Sequence, residues 1–114
     1  MGWIFETESD RKIKMIQQKT GLINSCLKSI VARIRSDNGV NKSNVEWVSK
    51  EMEKMVHIQD EMNSLFLQLS PSKRESIIVN WVDGSSHPIY SWSASASLVS
   101  QEIYNEIVIF EKSL

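Results

Sequence analysis

The sequence predicts an all-α fold. It comprises a long antiparallel helical hairpin over about residues 7–36 and 43–69, with shorter helices over about 71–82 and 95–112 completing a bundle in a single domain, 1–114. Three observations predict it. Ile13, Ile16, Thr20, Ile23, Leu27, Ile30 and Ile34 follow one another at alternating steps of three and four. Val45, Val48, Met52, Met55, Gln59, Met62, Phe66 and Leu69 do the same; this is the seam of long helices packed side by side. Four glycines and two prolines in 114 residues are too few for a turn-rich β architecture.

Each element has its own signals. Thr7-Glu8-Ser9-Asp10 resembles a capping box that opens helix 1, and Asp37-Asn38-Gly39 stops it, because Asn and Gly tolerate the left-handed conformation that ends helices. Ser43-Asn44-Val45-Glu46 reads as a second capping box. Ser70-Pro71 breaks helix 2 and starts helix 3, where Ser72-Lys73-Arg74-Glu75 adds a box and Ile77, Ile78, Trp81 and Val82 form an apolar face. Asp83-Gly84 ends it. A loop is expected over 85–90, and the tract Ser91–Ser97 reads equally as loop or helix start. Helix 4 then buries Val99, Ile103, Ile107 and Phe110.

A short turn near residue 41 sets the register of the two seams. It pairs Ile13 with Leu69, Ile16 with Phe66, Thr20 with Met62, Ile23 with Gln59, Leu27 with Met55, Ile30 with Met52 and Ile34 with Val48. Thr20 and Gln59 then fall in adjacent layers and are expected to form one buried polar step, since two polar groups placed together cost less than two apart. Arg33 is expected beside Glu51 as a rim ion pair. Trp47, outside the seam, is expected to pack on helix 3 or 4 or to meet a partner. The methionines of helix 2 read as core.

Composition bounds the function. Hydrophobic residues make up 41%, charged residues 24%, and the net charge is −1, so no global pull toward nucleic acid or membrane is expected. The one cysteine, Cys26, rules out an intramolecular disulfide framework and suits a reducing compartment. The first residues, MGWIFETESD, lack the basic start and apolar run of a secretory signal, and Glu6 breaks the myristoylation pattern. The longest apolar run, Ile107–Phe110, is far short of a membrane span. The expected setting is cytoplasmic, without membrane.

Charge along the hairpin is uneven. Helix 1 carries Arg11, Lys12, Lys14, Lys19, Lys28, Arg33 and Arg35 with no acid between the first and last, whereas Glu46, Glu51, Glu53, Asp60 and Glu61 outnumber the cations of helix 2. Lys14, Lys28 and Arg35 share the outward face and form a candidate contact surface for an acidic protein partner. The segment 81–92, WVDGSSHPIYSW, supplies Trp81, His87, Tyr90 and Trp92 as a second candidate surface or a lid over the bundle end, since Trp and Tyr anchor interfaces with few rotors. Trp3, Ile4 and Phe5 present the same choice.

Catalytic and metal signals are weak. Cys26 and His57 lie at similar heights but on different faces of the hairpin, so a nucleophile–base pair is not expected. Glu53, His57 and Glu61 share a helical face that points outward, unlike the inward Glu-x-x-His pairs of di-iron bundles. No zinc spacing, phosphate-binding glycine loop or Ser-His-Asp arrangement is present, and no cofactor is expected. Nucleic-acid binding is disfavoured because the basic residues are spread out with no interleaved aromatics. The sequence points to a non-enzymatic protein-binding module, a small accessory, inhibitor, immunity or chaperone-like protein. The alternative is a structural homo-oligomeric helical protein, with a bundle that binds a small ligand at the Thr20/Gln59 layer, or nucleic acid, as weaker readings.

Overall fold

The computed structural model describes residues 6–114; Trp3, Ile4 and Phe5 lie outside the described residues. The order is α1 (Glu8–Ser36), α2 (Val45–Leu67), α3 (Pro71–Glu75), β1 (Ile78–Asn80), β2 (Ser86–Pro88) and α4 (Ile89–Lys112). The fold is all-α. The extents, 64 × 24 × 20 Å, are those of a rod of long helices, with one small antiparallel hairpin set against its side.

The helical hairpin forms where the seams predict it. Thr7 caps α1: its hydroxyl accepts the Asp10 N–H at 3.0 Å, while the Asp10 carboxylate accepts the Thr7 N–H at 3.3 Å. The helix ends at Asn38 and Gly39, both at positive φ (58° and 122°), a conformation whose strain is low for these two residue types. The second capping box does not form. Asn44 is the N-cap of α2 without a side-chain capping bond; its fully buried amide instead staples the turn. It donates to Asp37 Oδ2 at 2.9 Å and to the Gly39 carbonyl at 3.0 Å, and accepts the Asn41 N–H at 2.9 Å. A buried amide needs partners at both ends, and the turn supplies more of them than the helix terminus does.

Ile16, Ile23, Leu27 and Ile30 of α1 are buried together with Val48, Met52, Met55 and Met62 of α2. The polar step does not exist. Thr20 is buried, but its hydroxyl donates to the Gln17 carbonyl of its own helix at 2.7 Å. Gln59 is exposed. A Thr hydroxyl can satisfy itself on its own helix backbone, so no second polar group is required beside it. Arg33 likewise binds Asp37 at 2.6 Å and lies over the Trp47 ring at 5.6 Å rather than reaching Glu51. Trp47 is half-buried against the core, with the Arg33 guanidinium of α1 over its ring.

The third and fourth helices differ from expectation. Ser70 caps α3 and Pro71 opens it, but the helix ends after one turn. Ile77, Ile78 and Val79 then alternate at 1%, 47% and 3% exposure, the period of a strand. β1 pairs with β2 through Ile78–Pro88, Val79–His87 and Asn80–Ser86, and Gly84 at φ 86° sits in the connecting turn. The β-branched run favours the strand. α4 starts at Ile89, directly after Pro88, so the serine-rich tract is helical. Its inward positions Ile89, Trp92, Ala96, Ile103 and Ile107 are buried at helical spacing.

α1 joins the hairpin to α4. Gln17 Nε2 donates to the Ile78 carbonyl at 2.9 Å, and Asn24 Nδ2 donates to the Asn80 carbonyl at 2.6 Å. These are outward carbonyls of β1, so side-chain amides stand where a third strand would pair and the edge is covered. No helix of the described residues is long and apolar enough to cross a membrane.

Candidate functional site

α4 lies beside both helices of the hairpin but does not close against α2. The two run antiparallel, with Met62 and Phe66 opposite Ile89 and Tyr90 at one end and Glu53 opposite Val108 and Glu111 at the other. Between them runs a trough made of three consecutive hollows. Its floor is Ile23 of α1, Met52 and Met55 of α2, and Trp92 and Ala96 of α4. Ser93, Ser97 and Ser100 keep the α4 wall low in the middle. Val56, Tyr104 and Val108 stand on the rims at 45%, 45% and 42% exposure, with Gln59 between them and His57 at the acidic end.

Val56, Tyr104 and Val108 thus leave apolar surface open to solvent along the helix pair. Here the three long helices make a bundle with one side unfilled, and the trough has the position of a missing fourth helix. Its floor methionines, Met52 and Met55, are unbranched and flexible. Only Glu53 and Glu111 carry formal charge among the trough-lining residues, and both lie at the end near the C-terminus of α4.

The basic stripe is not a bank of free charge. Lys14 is paired with Glu6 at 2.6 Å, and that carboxylate holds the ammonium pKa above its ordinary value. Arg35 lines a second hollow, between α1 and α4, together with Glu102 and Glu106. Lys28 is exposed and has no ion pair among the described residues. The structure thus spreads the three cations over different surroundings instead of gathering them. Elsewhere on α1, Lys19 reaches Glu61 at 2.6 Å, which lowers the Glu61 pKa.

The aromatic segment is split in the same way. Trp92 is 3% exposed and belongs to the core, donating its indole N–H to Asn24 beneath the trough. Trp81 and His87 are half-buried on the β-hairpin. Tyr90 is exposed at the aromatic end of the trough, its ring edge-on to Phe66 with centroids 5.9 Å apart. Of the four residues, Trp92 lies in the trough floor and Tyr90 stands exposed at its end.

The hairpin tip brings Asp83, Ser85 and His87 together, a cluster that the linear spacing did not suggest. The Ser85 N–H and hydroxyl both donate to Asp83 Oδ1, at 2.9 and 2.5 Å, and the hydroxyl oxygen also meets His87 Nε2 at 2.6 Å. These bonds hold the Asp83 carboxyl below its ordinary range. In a nucleophilic triad the carboxylate orients the imidazole, which takes the hydroxyl proton. Here the hydroxyl donates its hydrogen bond to the carboxylate directly, so the cluster locks a turn. Cys26 is buried, whereas His57 is exposed on the trough wall. Among the described residues no group of three or more His, Cys, Asp and Glu side chains could hold a metal. Comparison with protein-family models, curated proteins and solved structures gives no match for this chain.

Proposed function

We propose that this protein is a non-enzymatic binding module that takes a helical segment of another protein into the trough between α2 and α4. The observation behind this is the row of unpartnered apolar side chains, Val56, Tyr104 and Val108, above a floor of methionines. An amphipathic helix laid in such a groove buries its apolar face and completes the bundle. The acid on the trough walls favours a foreign helix over a second copy, whose identical trough would bring the same acid. By occupying a partner's helix the protein would act as an accessory or inhibitor. The buried Cys26 suits a reducing compartment, and we assign it to the cytoplasm.

A displayed library of helical peptides tests this, with Val56→Asp/Tyr104→Asp as counter-selection. Both positions are exposed, so the double variant keeps its helical circular dichroism. Peptides enriched on the natural protein and not on the variant support the trough. Equal enrichment on both refutes it. A sedimentation mass of a dimer that the double variant abolishes makes a second copy the occupant and also refutes it.

A further inference from the structure

The trough is not symmetric end to end, and its asymmetry bears on the chemistry of what it takes. At one end Phe66 and Tyr90 close it with aromatic rings, and the Arg74 guanidinium lies over the Phe66 ring at 5.3 Å. At the other, Glu53 of α2 and Glu111 of α4 stand on opposite walls. No lysine or arginine lines any of its three stretches. α2 and α4 run antiparallel, so their helix dipoles oppose one another, and the two carboxylates are the formally charged side chains on the walls here. Neither Glu53 nor Glu111 has an ion-pair partner among the described residues.

We infer that the bound helix carries an apolar stripe that ends in lysine or arginine, and that it lies with this basic end between Glu53 and Glu111, an inference that rests on the trough being the docking site. Its large apolar side chains enter at mid-trough, where Ala96, Ser97 and Ser100 leave room beside Met52 and Met55. The aromatic end takes the uncharged turn of the helix. Charge here sets orientation and partner choice, while burial of the stripe supplies most of the affinity. An acidic helix of the same apolar pattern is rejected, because its carboxylates would face two others.

The experiment uses the library-selected peptides, synthesised singly and measured by fluorescence anisotropy against the natural protein and Glu53→Gln/Glu111→Gln. The expected peptides share lysine or arginine at one end of the stripe. Their affinity should fall about three- to tenfold in the double glutamine variant, as for rim charge pairs, with a flatter salt dependence. Replacing the peptide's basic residues by glutamate should weaken binding to the natural protein further. A spin label at the basic end should broaden signals near Glu111 rather than Tyr90. Selected peptides without basic residues, or an affinity unchanged in the glutamine variant, overturn the inference and leave the trough standing. A library that fails to distinguish Val56→Asp/Tyr104→Asp overturns the trough itself.

Discussion

The indole N–H of Trp92 donates to the side-chain carbonyl of Asn24 across 2.8 Å, joining residues 68 apart in the chain. The other end of the Asn24 amide donates to the Asn80 carbonyl at 2.6 Å. One buried side chain thus fixes α1, α4 and the β-hairpin to each other. It is also the anchor of the trough floor, since Trp92 lies there.

Asn24→Leu should therefore cost about 2–3 kcal/mol, because it leaves a buried indole N–H and a strand carbonyl without partners. Urea unfolding measures it. A loss below about 0.5 kcal/mol would mean that the joint is dispensable.

The acid limb of stability should depend on Asp37. Its pKa is lowered by the hydrogen bond from Asn44 and then by Arg33. A depressed folded pKa contributes stability that is present above the unfolded value, about 3.9, and lost as pH falls through the folded value. Asp37→Asn should flatten the melting temperature over that range. Parallel curves for the two proteins would contradict this.

Thr20 and Gln59 should be energetically independent. Gln59→Leu changes an exposed position and Thr20→Val removes a hydroxyl bonded within its own helix. The two effects should add within about 0.5 kcal/mol. A double-mutant coupling well above that would restore the polar step that their spacing suggests.

Cys26 should react slowly with a thiol reagent in the native protein and at the free rate in denaturant. Burial pushes its pKa up, and the nearby Glu51 adds to the effect, so little thiolate is available to attack. Native labelling as fast as that of a small thiol would show that the α1–α2 contact opens readily.

The misread elements share one cause. Ile77, Ile78, Trp81 and Val82 fit a helical face, while Ile77, Val79 and Trp81 fit a strand; local spacing allows both. Amides from Gln17 and Asn24 on a distant helix cover the strand's carbonyls and help hold it as a strand. The serine tract has the same ambiguity. Serine competes for backbone bonds in isolation, and burial of Trp92 and Ala96, with the Trp92 indole held by Asn24 of α1, resolves it as helix. Gln59 was legible only as a seam position, because periodicity does not say whether a face is covered.

What the sequence determined by itself is the hairpin. Its hydrophobic steps, the Thr7 cap and the Asn38-Gly39 stop are local, and each acts within a few residues of where it is written. What only the tertiary structure decided is where α4 lies. It follows α1 through Asn24 and Trp92 and stands off α2, leaving the trough open. That choice depends on contacts between residues far apart in the chain, which satisfy buried polar groups that no local pattern can pair.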